Sequence, residues 1–207
     1  MSPNNPISLI VGLGNPGASY ENTRHNAGAW VVNQLAAKYT QTLCVENKFF
    51  GLVGKINVAE RKCYLLLPTT FMNNSGQAVA AMAKFYKIYM ENTLVIHDEI
   101  DIPTGQVRLK FGGGHAGHNG LRDIIKHVGS KNFYRLRIGI DRPKSSDAVV
   151  DYVLKKPSAS ERCAINSTIN KTLHLMPNII AGKIDKAMQA LHTNQQAKIT
   201  NNLLDNR

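Results

Sequence analysis

The residues most able to do chemistry lie in short runs beside glycines. His25 sits in Thr-Arg-His-Asn26 and Asp98 in His97-Asp-Glu-Ile-Asp101. A carboxylate that accepts from one imidazole nitrogen fixes the tautomer and raises the basicity of the other. Such a histidine takes a proton from water near neutral pH. No serine or cysteine stands in a nucleophile-elbow pattern, so direct attack by water is favoured over an acyl-enzyme. Three carboxamides accompany the pair: Asn15 in Gly-Asn-Pro, Asn73 in Phe-Met-Asn-Asn, and Asn119 in Gly-His-Asn-Gly. The simpler reading of Asn73 and of Asn119, each before a helix, is an N-cap. As a set on three loops, the carboxamides can hold a peptide, place a water or donate to an oxyanion without adding charge.

Other chemistries use the same residues less well. Gly12-x-Gly14-x-x-Gly17 matches the dinucleotide fingerprint in form only. Pro16 removes a donor, helical spacing starts near Asn26, and no carboxylate falls near Lys38 where a ribose partner is due. His97, Asp98, Glu99 and Asp101 offer oxygen-rich ligation suited to magnesium or manganese. On a strand, however, alternate residues point opposite ways and split that set.

These residues need an α/β scaffold. Ile7–Val11 and Thr93–Ile96 are compact apolar strands, each running into a chemistry-bearing loop, and as parallel neighbours they would bring His25 to Asp98. Gly51–Val58 and Cys63–Leu67 read as a hairpin. Val107–Phe111 and Tyr134–Ile140 alternate, with Leu136, Ile138 and Ile140 on one face and Arg135 and Arg137 on the other. Helical spacing marks Trp30–Lys38, a segment from about Ser75, and Leu121–Val128 before Gly129. Ser158-Ala-Ser-Glu161 is a capping box; its helix is expected to stop before Pro177, and another to run from Ile179 to about His192. The expectation is a single α/β domain over 1–192. It has a twisted, mixed but mostly parallel sheet, helices on both faces and C-terminal helices packed against it. The polar segment 193–207 is expected to fray.

Length and composition agree. The 207 residues are 43% hydrophobic and 19% charged, which excludes wholesale disorder. No run of about 18 apolar residues could cross a membrane. The start carries neither the basic nor the apolar region of a secretory signal. Three separated cysteines argue against a disulfide framework or structural zinc and fit a reducing cytosol. The net charge is +11, and residues 105–142 alone hold 8 basic against 2 acidic side chains, while 40–104 balance. That concentration suggests a polyanionic partner, most simply nucleic acid.

Taken together, Val11-Gly-Leu-Gly-Asn-Pro-Gly17, Asn22-Thr-Arg-His-Asn-Ala-Gly28, Pro68-Thr-Thr-Phe-Met-Asn73, His97-Asp-Glu-Ile-Asp-Ile-Pro103, Gly112-Gly-Gly-His-Ala-Gly-His-Asn-Gly120 and Phe133-Tyr-Arg-Leu-Arg-Ile-Gly-Ile140 resemble the bacterial-type peptidyl-tRNA hydrolases. The resemblance spans about residues 7–192. It implies a monomeric, cytoplasmic enzyme that cleaves the ester between a peptide and the 3′ end of tRNA, recycling tRNA during translation, with no metal or other cofactor. Carried over by motif, His25 is the general base and Asp98 its orienting acid. Asn73 and Asn119 bind substrate and position the reacting groups, and Tyr20 and Phe71 line the place of the tRNA 3′ end. The resemblance also implies that Asn15 distinguishes a peptidyl amide from a free amine, while Met72 and His118 form pocket wall. Arg108, Lys110 and Arg137 hold tRNA phosphate, Arg108 with a bidentate fork where other members often carry lysine. A competing reading is an RNA-binding module on the same fold without hydrolysis.

Overall fold

The computed structural model describes residues 4–143 and 148–191. The expected end of the last helix at His192 and the segment 193–207 lie outside them. One seven-stranded sheet organises the molecule in the order β2-β3-β4-β1-β5-β7-β6. The strands are β1 (Leu9–Gly12), β2 (Cys44–Glu46), β3 (Gly51–Val58), β4 (Arg61–Pro68), β5 (Thr93–Glu99), β6 (Val107–Phe111) and β7 (Tyr134–Gly139). The four inner strands β4, β1, β5 and β7 run parallel, and antiparallel pairs close both sides. The expected hairpin is β3–β4. The three-residue edge strand β2 has no sequence signal of its own.

Helices α1 (Ala27–Lys38) and α5 (Ala159–Ile180) cover one face, and α2 (Ser75–Tyr86) and α3 (Asn119–Val128) cover the other. Strand alternation divides the core between them. Ile10, Leu65, Leu94, Ile96 and Leu136 join the α1/α5 side, while Leu9, Val11, Leu66 and Val95 join the α2/α3 side. Each such burial contributes about 1.5–3 kcal/mol. A short helix, α4 (Val149–Val153), lies beside the 3-10 turn Arg24–Asn26. Among the described residues no helix is long and apolar enough to cross a membrane.

Three expectations require correction. β1 begins at Leu9, because the amides of Ile7 and Ser8 bond instead to the carbonyls of Ile180 and Asn92. β5 does not end at Ile96 but continues through Glu99, pairing with β7 throughout, so Asp98 belongs to a strand rather than a loop. α5 does not stop before Pro177; it continues to Ile180, and the break falls at 181–183, where Gly182 takes φ +80°. Proline at 177 cannot donate to the carbonyl of Leu173. The Lys38 ammonium donates to that carbonyl at 3.0 Å, so the helix tolerates the loss. A further helical segment occupies 184–191.

Candidate active site

The site begins with a close approach of backbones. A Cβ at Gly28 would lie 2.1 Å from the Ile96 carbonyl oxygen and 2.7 Å from the Leu13 amide. Glycine there lets the first turn of α1 rest on the carboxyl ends of β1 and β5. The 3-10 turn Arg24–Asn26, which enters α1, is thereby held over Asp98. Asn26 fixes the neighbouring loop in both directions: its Oδ1 accepts from the Asn15 amide and its Nδ2 donates to the Asn15 carbonyl, both at 2.9 Å.

His25 Nδ1 lies 2.9 Å from Asp98 Oδ1 and 3.0 Å from Oδ2. The expected parallel pairing of β1 with β5 thus brings imidazole and carboxylate together. Both are buried. Burial opposes protonation of His25, but the charge and hydrogen bond of Asp98 outweigh it and raise its pKa above the usual 6.5. Burial would raise the Asp98 pKa, yet the two histidines beside it hold the carboxyl well below the usual carboxylate range. The second is His118, whose Nε2 reaches Asp98 Oδ1 at 3.1 Å. His118 also caps α3, its Nδ1 accepting from the Leu121 amide. That bond puts the proton on Nε2, so His118 donates to Asp98.

The sequence reading missed that bond and three further features. His97 is wholly buried, which pushes its pKa well below 6.5; its Nδ1 donates to the Asp98 carbonyl at 2.6 Å. Arg135, read only as sharing a strand face with Arg137, is buried under the glycine-rich loop and donates to the carbonyls of Gly113 and Gly114. Burial, with the charge of Arg137, pulls its pKa down to about 10. The apolar run 148–154 was visible in the sequence but carried no recognisable motif, and it supplies one wall of the site.

A cleft of about 570 Å³ opens beside His25 and Asp98. The three carboxamides Asn15, Asn73 and Asn119 all line it, with Phe71, Met72 and His118. Also lining it are Ile100, the α4 residues Val149, Val150 and Val153, and Leu154 just after that helix. Neither Asn73 nor Asn119 is an N-cap: α2 is preceded by Asn74 without a side-chain cap, and α3 is capped by His118. Asn119 Oδ1 accepts from Arg122, and Asn15 Oδ1 accepts from the Met72 amide at 2.7 Å. Tyr20 stands behind Phe71, the rings edge to face at 6.1 Å. Arg108 and Lys110 face Arg137 and Arg135 across β6 and β7. None of these four basic side chains lines the cleft; Arg137 is tied to its edge through Glu99, which lines the cleft and accepts from Arg137 at 2.9 Å.

A metal could be held by His25, Asp98 and His118, whose ligand atoms lie within 4.8 Å of one another. Those atoms are already engaged in the hydrogen bonds described. The set His97, Glu99 and Asp101 does not converge among the described residues. Nor does a helix start within Gly12–Gly17, as pyrophosphate binding would require.

Residues 9–200 match the family model described as peptidyl-tRNA hydrolase. The chain is 54% identical over 187 residues to the peptidyl-tRNA hydrolase of Coxiella burnetii, covering 90% of this chain and 98% of that one. It is 51% identical over 189 residues to the Neisseria meningitidis enzyme of the same name, covering 91% and 98%. The crystal structure of peptidyl-tRNA hydrolase from Acinetobacter baumannii superposes with a TM-score of 0.88 at 48% identity, over 92% of this chain and 96% of that one. The joined His25–Asp98 pair, the fold around it and the extent of these matches lead to one assignment: the chain belongs to the peptidyl-tRNA hydrolase family.

Proposed function

We propose that the cleft hydrolyses the ester linking a peptide, or an N-blocked amino acid, to the 3′ end of tRNA. The observation that carries this reading is the buried His25–Asp98 bond at the floor of a carboxamide-lined cleft. With Nδ1 given to Asp98, the His25 Nε2 is the basic nitrogen. It takes a proton from water as the water oxygen attacks the ester carbonyl carbon. Asn73 and Asn119 offer neutral donors to the oxyanion that develops. Collapse breaks the bond to the ribose oxygen, which receives the proton back from the imidazolium. The products are a peptide carboxylate and tRNA with a free 3′ hydroxyl.

The remaining residues serve binding. Asn15, its Oδ1 held by Met72, presents Nδ2 to a peptidyl carbonyl and so favours an amide over a charged amine. Tyr20 and Phe71 offer aromatic surface to the tRNA 3′ end, and Met72 and His118 shape the wall. Arg108, Lys110 and Arg137 take tRNA phosphates, placing the duplex while the neutral loops do the chemistry. The unit is residues 1–192 acting as a monomer in the cytoplasm, without a cofactor.

The test is hydrolysis of N-acetylaminoacyl-tRNA by the purified protein and by His25→Ala. The variant should lose most turnover while tRNA affinity stays within a few-fold. Near-normal hydrolysis by the variant would remove the proposed base. A wild-type protein that binds tRNA but never turns over would favour a pure RNA-binding module.

A further inference from the structure

Arg24 stands next to the proposed base, yet it is buried and points away from the chemistry. Its guanidinium gathers the C-terminal end of α4. Nη1 donates to the carbonyls of Tyr152, Lys155 and Lys156 at 3.3, 3.2 and 3.1 Å. Nη2 donates to both carboxylate oxygens of Glu161, at 3.2 and 2.9 Å. Its Cζ lies 4.2 Å over the Tyr152 ring, and its own amide donates to the Lys155 carbonyl at 3.1 Å.

The Tyr152 carbonyl also accepts from the Lys155 amide at 3.2 Å, and Glu161 from the Ser158 amide, so the cation adds to bonds that each partner shares. The last carbonyls of a helix have no intrahelical donors, and a cation is favoured at that end. Glu161 completes the capping box that starts α5, accepting from the Ser158 amide at 2.6 Å. Tyr152 in turn donates through its hydroxyl to the Ile140 carbonyl just beyond β7. A single planar cation therefore joins three things: the turn that carries His25, the end of α4 and the start of α5. An ammonium has neither the fork nor the flat face to do this.

The element so held is the apolar wall of the cleft. Val150 is 64% exposed and Leu154 36%, while Val149 and Val153 line the cleft with them. Among the described residues, α4 touches the turn Arg24–Asn26 as a neighbouring element. Its five residues are too few to form a stable helix alone. Its position relative to His25 thus depends on the side chain that spans both.

We propose that Arg24 is a positioning residue: it locks α4 against the His25 turn and thereby sets the affinity of the cleft for the apolar part of the esterified peptide. This rests on the hydrolytic function proposed above. Arg24 touches no reacting atom, and His25 keeps its own bond to Asp98. Loss of Arg24 should therefore weaken ground-state and transition-state binding alike, which raises KM and spares kcat.

The experiment uses the full chain, N-acetyl-phenylalanyl-tRNA as substrate, and the variants Arg24→Gln, Arg24→Lys and Glu161→Gln. Arg24→Gln should raise KM about tenfold with kcat within about twofold of wild type, the signature of lost uniform binding. Arg24→Lys should fall between. Glu161→Gln, which keeps the three carbonyl bonds, should raise KM less than either. Hydrogen exchange read on the same proteins should quicken over 148–156 and stay unchanged over β5. If Arg24→Gln does not fold, the other two variants carry the same comparison.

Three results would overturn the inference while wild type remains active. Exchange over 148–156 could stay unchanged, showing that Arg24 does not hold α4. Exchange could quicken with KM constant, showing that the wall does not bind substrate. Or kcat could fall in step with the melting temperature at constant KM, as expected of a structural residue alone. An inactive wild-type protein would instead refute the underlying function, and the inference with it.

Discussion

Replacing Asp98 by asparagine tests the proposed chemistry at its narrowest point. Asp98 Oδ1 receives His25 at 2.9 Å and His118 at 3.1 Å, and Oδ2 stands 3.0 Å from the same His25 nitrogen. An asparagine keeps one oxygen and sets an NH₂ where the other stood. In either orientation a donor faces the His25 Nδ1–H. The remaining oxygen still accepts from Nδ1, but the NH₂ beside it opposes that N–H, so the imidazole is held less firmly in the tautomer and orientation that leave Nε2 basic. The lost charge matters as well. A unit charge pair at about 4 Å and an effective dielectric near 20 is worth ~4 kcal/mol. That corresponds to about three decades of rate, at 1.36 kcal/mol each, and lies within the ~10²–10⁴-fold range of general-base catalysis. Asp98→Asn should therefore hydrolyse N-acetylaminoacyl-tRNA roughly 10³-fold more slowly than wild type.

The pH profile supplies a second readout. In the proposed mechanism only neutral His25 serves as base, and Asp98 holds its pKa above 6.5. Wild-type kcat/KM should fall as pH drops through that raised value. In Asp98→Asn burial alone remains, so the limb should move below 6.5. The assay is release of labelled N-acetyl amino acid between pH 5 and 8.5, with tRNA affinity followed by fluorescence anisotropy to confirm that binding survives. A variant within tenfold of wild type, or an unmoved limb, would refute the reasoning.

His97 is buried neutral, so its folded pKa lies below the unfolded one. The stability it permits is present above about 6.5 and is lost as pH falls below that value. His25 has the opposite sign, and Asp98 adds a loss only below about pH 4. His97→Asn should accordingly lose less stability than wild type between pH 6.5 and 5, by up to ~1.4 kcal/mol per pH unit; parallel melting curves across that range would contradict it. Gly28→Ala would drive a methyl into the Ile96 carbonyl and should cost about 3 kcal/mol, lowering the melting temperature by roughly 6–12 °C. A loss under 2 °C in calorimetry would mean the approach is looser than described. tRNA affinity should fall with salt through counterion release, and each phosphate contact removed should reduce the slope of log K against log salt by about 0.7–0.9. Arg137 shares its charge with Glu99, so Arg108→Ala should reduce the slope more than Arg137→Ala; the reverse order in titrations at several salt concentrations would displace that assignment.

What the sequence made legible follows from local pattern. Alternation in β7 and the apolar runs of β1 and β5 are properties of a few neighbouring residues, and they suffice to identify those strands, though not their order. With β1 and β5 taken as parallel neighbours, the meeting of His25 with Asp98 follows. Features decided by distant neighbours could not be foreseen. The burial of Arg135 is not legible because nothing in its own strand tells that Gly113 and Gly114 offer it carbonyls. Pro177 reads as a helix stop because its local effect is real; only Lys38, on another helix, removes the cost. His118 reads as wall because its grip on Asp98 depends on the entry angle of α3. Asn73 and Asn119 look like caps in sequence; the N-cap positions are instead Asn74, whose side chain makes no capping bond, and His118, a one-residue shift too small for pattern to resolve.

The placement of β1 has a consequence for synthesis. It lies between β4 and β5, pairing Leu9 with Tyr64 on one side and Thr93 on the other. The first strand made must therefore wait for partners translated some fifty and eighty positions later. Asp98 gains its second donor only when His118 has followed. No growing fragment that stops short of these partners can assemble the working pair. The central strand and the carboxylate beside it are thus completed only once the chain has been made as far as His118.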